Sequence, residues 1–311
     1  MPISIALLGL THPHLADALA VIASEGDVRL AAAWDPDRSA IPGVIAAHAV
    51  ADLDVAIARA DAVLVAVPTD QRPGVVVRAA RAGRPVLVEP PLGRTAAESR
   101  AVARELERTR TPVQAAMFVR ELPALARLRS VLASGMLGRI VSASASFARI
   151  RDIESSLAGP GAWLFDPRRA GVGGFGDLAA HLLDALALLG AQPLLDAVSL
   201  DRGPIVGGEL GGAALGSWAG SPLSVRASWV SRPPRLELAV DGSRASAILR
   251  DGTLELLSAS GRVERWIGPP PEPAEGLRAF LKRLRRRGLT SDGLRGAIRA
   301  QEALERATRV G

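Results

Sequence analysis

The sequence predicts two domains of different class: a doubly wound parallel α/β domain over residues 1–118, then an α+β domain with an open, largely antiparallel sheet over residues 119–311. Three observations carry this. A chain of 311 residues, at about 100–200 residues per domain, favours two units. The first part alternates short, wholly apolar runs with helix-like stretches, the pattern of strands covered on both faces. The second part changes to strands of alternating polarity separated by Asp-Gly and Pro-Pro turns.

Ile3–Gly9 is the first apolar run and ends on glycine; Leu15–Ile22 follows with helical apolar spacing. Val28–Trp34 is the second run, closed by Asp35. Ala62–Val67 ends at Pro68, Val86–Val88 at Glu89-Pro90-Pro91, and Val113–Phe118 is the fifth. Helix-like stretches at 72–82 and 95–110 lie between the later runs, and Thr95 with Glu98 forms a capping-box pattern. Beyond 118, a helix-like stretch (121–134) leads to Ile140–Phe147, where Val141, Ala143, Ala145 and Phe147 alternate with serines. A Gly-rich turn, Gly171–Gly176, opens a helix at 177–189. Short strands such as Ser224–Val230 and Leu236–Val240 follow, and helices at 273–287 and 291–309 close the chain.

Composition removes several classes of function. A 48% hydrophobic and 23% charged chain is globular. It has no cysteine, which excludes disulfides, thiolate metal sites, iron–sulfur clusters and a cysteine nucleophile. No run of about 18 apolar residues lacks charges, so no membrane span is expected, and the N-terminus reads poorly as a signal peptide. A soluble cytoplasmic protein is the expectation. The net charge of +6 hints at a polyanion partner, but Lys282 is the only lysine and aromatics make up 3%. Arg278, Lys282, Arg283 and Arg285–Arg287 read as the solvated face of an amphipathic helix on Leu277, Phe280, Leu281 and Leu284. No nucleic-acid partner is expected, since little is present on which to stack bases.

The loop Gly9-Leu10-Thr11-His12-Pro13-His14 keeps one glycine of the G-x-G-x-x-G pattern, with Thr11 and His14 at the other two positions. It follows a strand, opens a helix, and precedes Asp35 at the end of the next strand. There a carboxylate accepts from ribose hydroxyls while the helix N-terminus supports a pyrophosphate. Asp35 favours NAD; Arg38 keeps NADP open. The same loop also reads as a tight turn in an α/β domain that binds no nucleotide. His12 and His14 form an H-x-H pair, but with only His48 and His181 elsewhere no metal site is expected; His12 is placed instead near the nicotinamide ribose or the substrate mouth.

Several segments resemble the Gfo/Idh/MocA family of oxidoreductases. They are Val65-Ala66-Val67-Pro68-Thr69, Arg81–Leu92 with Glu89-Pro90-Pro91, Val119-Arg120, Gly135–Ile140, and Trp163 with Asp166-Pro167 and Gly171–Asp184. The resemblance implies an N-terminal Rossmann domain and a C-terminal domain whose sheet makes a homo-oligomer. It also implies NAD(P)-dependent hydride transfer to or from a sugar-, polyol- or cyclitol-like small molecule, and a cis bond before Pro91. Cofactor contacts fall on Gly9, Thr11, His12, His14, Asp35, Arg38, Pro68, Thr69 and Glu89, and substrate contacts on Arg120, Trp163 and Asp184. Asp177, His181 and Asp184 share one helix face, and histidine suits removal of a hydroxyl proton near neutrality. His181 with Asp177 is thus the expected acid/base pair, although the two also read as a helix N-cap and a core histidine. The family's Glu-Lys-Pro lysine is replaced by Pro90. Three readings stay open: the His–Asp pair suffices, the reaction is a reduction without lysine as in biliverdin reductases, or the chain is a dinucleotide-binding regulator or scaffold without turnover.

Overall fold

The computed structural model describes residues 2–203, 207–258 and 260–310. The chain runs β1 (Ile3–Leu8), α1 (Leu15–Ser24), β2 (Val28–Trp34), α2 (Leu53–Ala58), β3 (Ala62–Val65), α3 (Arg72–Arg81), β4 (Val86–Val88), α4 (Ala96–Thr109) and β5 (Val113–Ala115). It continues through α5 (Pro123–Ala133), β6 (Ile140–Ala148), α6 (Ile153–Ala158), α7 (Pro167–Ala170) and α8 (Gly174–Leu188). The strands β7 (Leu194–Asp201), β8 (Gly211–Trp218), β9 (Ser221–Ser228), β10 (Arg235–Gly242), β11 (Ala245–Arg250), β12 (Thr253–Ser258) and β13 (Gly261–Ile267) precede α9 (Ala274–Arg285) and α10 (Asp292–Val310).

The first sheet is parallel throughout, in the order β2-β1-β3-β4-β5. The order reverses at β1, which has β2 on one side and β3 on the other, so the C-terminal ends of β1 and β3 form a topological switch point. Every residue of β3, β4 and β5 is buried, as strands covered on both faces require. Helix α4 starts as its capping residues direct: Thr95 accepts from Glu98 N–H at 3.1 Å, while Glu98 accepts from Arg94 N–H at 2.7 Å.

Among the described residues the second sheet runs β13-β12-β11-β10-β6-β9-β8-β7, antiparallel except where β6 pairs β9. Alternate residues of β9 and β10 are buried, including Leu223, Val225, Leu236, Leu238 and Val240. Helix α8 packs on β6, β8 and β9 through its apolar side. It buries Phe175, Leu178, Leu182 and Leu186, each contributing roughly 1.5–3 kcal/mol. Its N-terminus needs glycine: a Cβ on Gly174 would stand 2.3 Å from the Leu210 carbonyl oxygen.

The fold class follows the sequence, and the chain folds into two compact units. The first unit comprises residues 1–116, 153–171 and 273–298, and the second 117–152, 172–272 and 299–311. After residue 116 the chain thus returns twice to its first unit. The reason lies in burial. Ala274, Leu277, Phe280 and Leu281 of α9 join Ile5, Leu7, Ala18, Val21 and Ile22 in one apolar core, so the amphipathic stripe of α9 completes the Rossmann unit. The basic side of α9 is partly neutralised there, with Arg285 donating to Glu25 at 2.7 Å and to Asp27 at 2.8 Å. No described helix is long and apolar enough to cross a membrane.

Candidate active site

The loop after β1 is built on one backbone conformation. Gly9 has φ +101°, and a Cβ there would meet Val67 N at 2.1 Å, so only glycine lets β1 turn against the end of β3. Asp35 then ties the loop down. Its Oδ2 accepts from Leu10 N–H at 2.7 Å and its Oδ1 from Asp37 N–H at 2.9 Å. Asp35 is buried, yet it borders a cavity of about 460 Å³ lined also by Thr11, Asp37, Pro68, Gln71, Trp163 and Arg169. Pro160 and Trp163 reach that cavity because residues 153–171 belong to the first unit.

The donor set fits a dinucleotide. The cavity lies at the switch point beside the N-terminus of α1, where backbone N–H groups and the helix dipole favour a pyrophosphate. Thr11 Oγ1 and Trp163 Nε1 are buried without a hydrogen-bond partner among the described residues, polar groups that a ligand would satisfy. Thr69 is buried beside Pro68, its Oγ1 likewise without a partner there. Arg38 is exposed and does not line the cavity, whereas Asp35 and Asp37 do.

His12, His14 and Glu89 come together behind this loop. His14 Nδ1 lies 3.3 Å and 3.4 Å from the two Glu89 carboxylate oxygens, the His12 and His14 rings meet edge-on at 4.8 Å, and Trp163 stands 6.0 Å from His12. Burial opposes ionisation of Glu89, but the charges of His12, His14 and Arg72 outweigh it and hold the carboxyl down at about 2. Arg72 is fully buried, donating to Val67 O at 2.8 Å and Pro91 O at 2.9 Å, with its guanidinium 5.4 Å over the Trp163 ring. Sequence reasoning missed Arg72. It opens a helix in a T-D-Q-R-P context that resembles any solvent-exposed first turn. Pro90-Pro91 is cis, and Lys282 lies exposed on α9.

The remaining site residues belong to the second unit. Helix α8 begins at Gly174, three residues before the expected start, so Gly173 is the N-cap and Asp177 sits inside the first turn. Glu209, which no motif pointed to, accepts from Gly173 N–H at 2.8 Å and Gly176 N–H at 3.2 Å. Asp177 accepts from Trp229 Nε1–H at 2.9 Å and has Arg151 at 3.9 Å. Burial pulls the Arg151 guanidinium below its usual range, with Asp177 opposing that shift. His181 is buried, its ring 4.6 Å from Phe118 and 6.2 Å from Phe147. Arg120 and Asp184, expected at the substrate, are bound to each other by two parallel hydrogen bonds of 2.9 Å and 2.7 Å.

Residues 3–117 match the oxidoreductase family with an NAD-binding Rossmann fold, and residues 125–248 match the GFO/IDH/MocA C-terminal domain. Levoglucosan dehydrogenase of Pseudarthrobacter phenanthrenivorans is 31% identical over 135 residues, 43% of this chain but only 34% of that protein. An oxidoreductase domain protein from Kribbella flavida superposes with TM-score 0.85 at 18% identity, covering 100% of this chain and 97% of that one. An inositol dehydrogenase homolog from Azotobacter vinelandii, solved with NAD+, superposes with TM-score 0.82 at 19% identity, covering 100% and 95%. At such identity these two structures speak for the fold. With both halves matched in order to one family, the chain belongs to the GFO/IDH/MocA oxidoreductases.

Proposed function

We propose that the chain is an NAD-dependent dehydrogenase acting on a hydroxyl of a sugar-, polyol- or cyclitol-like substrate. The observation that carries this is the cavity at the switch point, with Asp35 and Asp37 on its wall and buried polar groups of Thr11 and Trp163 beside it. The two carboxylates favour an unphosphorylated adenosine ribose over a 2′-phosphate, which they would repel. Levoglucosan and inositol, the molecules in the names of two relatives, share the class of several adjacent hydroxyls on a ring.

When bound, NAD accepts the hydride from the substrate carbon. Removing the hydroxyl proton falls to His181, the one histidine of the second unit and a side chain whose ordinary pKa suits transfer near neutrality. Asp177, one turn earlier on α8, holds negative charge on the same helix side and is fixed by Trp229 and Arg151. In this reading Asp177 positions and supports a charged His181, and Pro90 leaves no lysine to share the proton. The replacement of that lysine also favours a second reading, a dinucleotide-binding regulator without turnover.

Calorimetric titration with NAD+ and NADP+ tests the first part, with NAD+ expected to bind more tightly. A screen of ring polyols and anhydrosugars, followed by NADH absorbance, separates enzyme from regulator. His181→Ala is expected to lower kcat by about 10²–10⁴-fold with NAD+ affinity retained. Absence of NAD+ binding at millimolar concentration removes both readings, and full activity in His181→Ala removes the proton assignment.

A further inference from the structure

We propose that His12, His14 and Glu89 form a binding site for a divalent transition-metal ion of the zinc type. Their ligand atoms, one from each residue, all lie within 4.8 Å of one another. Four-coordinate zinc with bonds near 2.0–2.1 Å places its ligand atoms roughly 3.4 Å apart. His14 Nδ1 and Glu89 Oε2 stand at 3.3 Å, already at that spacing. The widest gap closes by about 1.4 Å, within the reach of small side-chain rotations about a zinc ion of this bond length.

Two further features make the cluster a prepared site. First, the backbone that carries it is fixed: Glu89 N–H donates to Val65 O at 3.0 Å, and Gly9 N–H to Trp34 O at 2.8 Å. Second, Glu89 is a buried carboxylate with both oxygens within 3.4 Å of His14 Nδ1, and a divalent ion shared by the three side chains supplies positive charge where burial makes a lone carboxylate costly.

Two imidazoles and one carboxylate select zinc, cobalt or nickel over magnesium or calcium, which prefer all-oxygen sets. Three protein ligands leave a fourth position for water or a substrate oxygen. The three ligands are also residues expected at the dinucleotide, but the test contains no dinucleotide and no polyol, so its failure and the failure of the dehydrogenase reading are distinguishable.

The experiment uses the untagged full chain, stripped with a chelator and titrated with Zn²⁺ by calorimetry and with Co²⁺ by visible absorption. One equivalent is expected to bind, with the intense cobalt bands of a four- or five-coordinate site. Glu89→Gln and His12→Asn are each expected to weaken binding by more than the roughly 10–100-fold that loss of a supporting partner costs. His48→Asn, on an exposed residue outside the cluster, is expected to bind as the parent does. No uptake, or uptake that survives both cluster substitutions, overturns the proposal. Zinc-edge X-ray absorption on the unmutated chain decides the matter if a variant fails to fold: two imidazoles support the site, and one or none overturns it.

Discussion

Replacing Arg120 by Met is expected to destabilise the second unit rather than weaken substrate binding. The side chains of Arg120 and Asp184 are 14% and 1% exposed, with Nε–H donating to Oδ2 and Nη2–H to Oδ1. Arg120→Met leaves the carboxylate buried without its counter-ion, a change that costs about 3–5 kcal/mol. The arginine reaches some solvent, so removing its partner instead is milder, and Asp184→Asn should cost about 2 kcal/mol. Replacing the pair together, Arg120→Met with Asp184→Leu, should recover most of the loss, because neither charge then remains to be compensated. In differential scanning calorimetry a loss of about 3 kcal/mol lowers the second unit's transition by roughly 6–12 °C. A double-mutant cycle then isolates the coupling. If Arg120→Met melts within a degree or two of the parent while substrate KM rises, the pair is a substrate device and the structural assignment fails.

The Glu89 carboxyl ionises near 2 in the folded chain against an ordinary 4.5. Its stabilisation is therefore complete above pH 4.5 and lost as pH falls toward 2, about 3 kcal/mol in all. Glu89→Gln should flatten that acid limb in urea titrations, and parallel curves for parent and variant would refute it. Gly9→Ala combines a positive φ with a Cβ 2.1 Å from Val67 N and should cost at least about 3 kcal/mol; a chemical-denaturation midpoint unchanged from the parent would show that the loop relaxes. Phe280→Ala should cost about 3–5 kcal/mol and speed hydrogen exchange at β1 amides. Exchange increased only in the second sheet would return α9 to that domain.

What the sequence revealed follows from which forces leave a local pattern. The strands β1, β3 and β4 were legible because burial on both faces makes an uninterrupted apolar run. Strand β8, Gly211–Trp218, was not, since its glycines and alanines carry no alternation, and β7 has no fully buried residue. Capping was legible at Thr95, where partner and cap are three residues apart, but not at Gly173, whose cap is Glu209. The candidate site shows the same limit. The H-x-H pair is visible in the sequence and Glu89 stands out there only as a cofactor contact; that the two lie together is not legible, since 75 residues separate Glu89 from His14. Arg120 and Asp184 were read separately because 64 residues divide them, and nothing local marks two charges as each other's partners.

The return of α9 to the first unit has a consequence for the order of synthesis. During translation the five strands of the first sheet leave the ribosome before residue 120, yet Leu277, Phe280 and Leu281 emerge more than 150 residues later. Until then Ile5, Leu7, Val21 and Ile22 lack the helix that covers them, and the nascent Rossmann unit exposes an apolar face of the kind chaperones bind. A fragment ending at 118 would keep that face permanently. The working excision of this unit is therefore a fusion that carries residues 153–171 and 273–298 back to the end of β5.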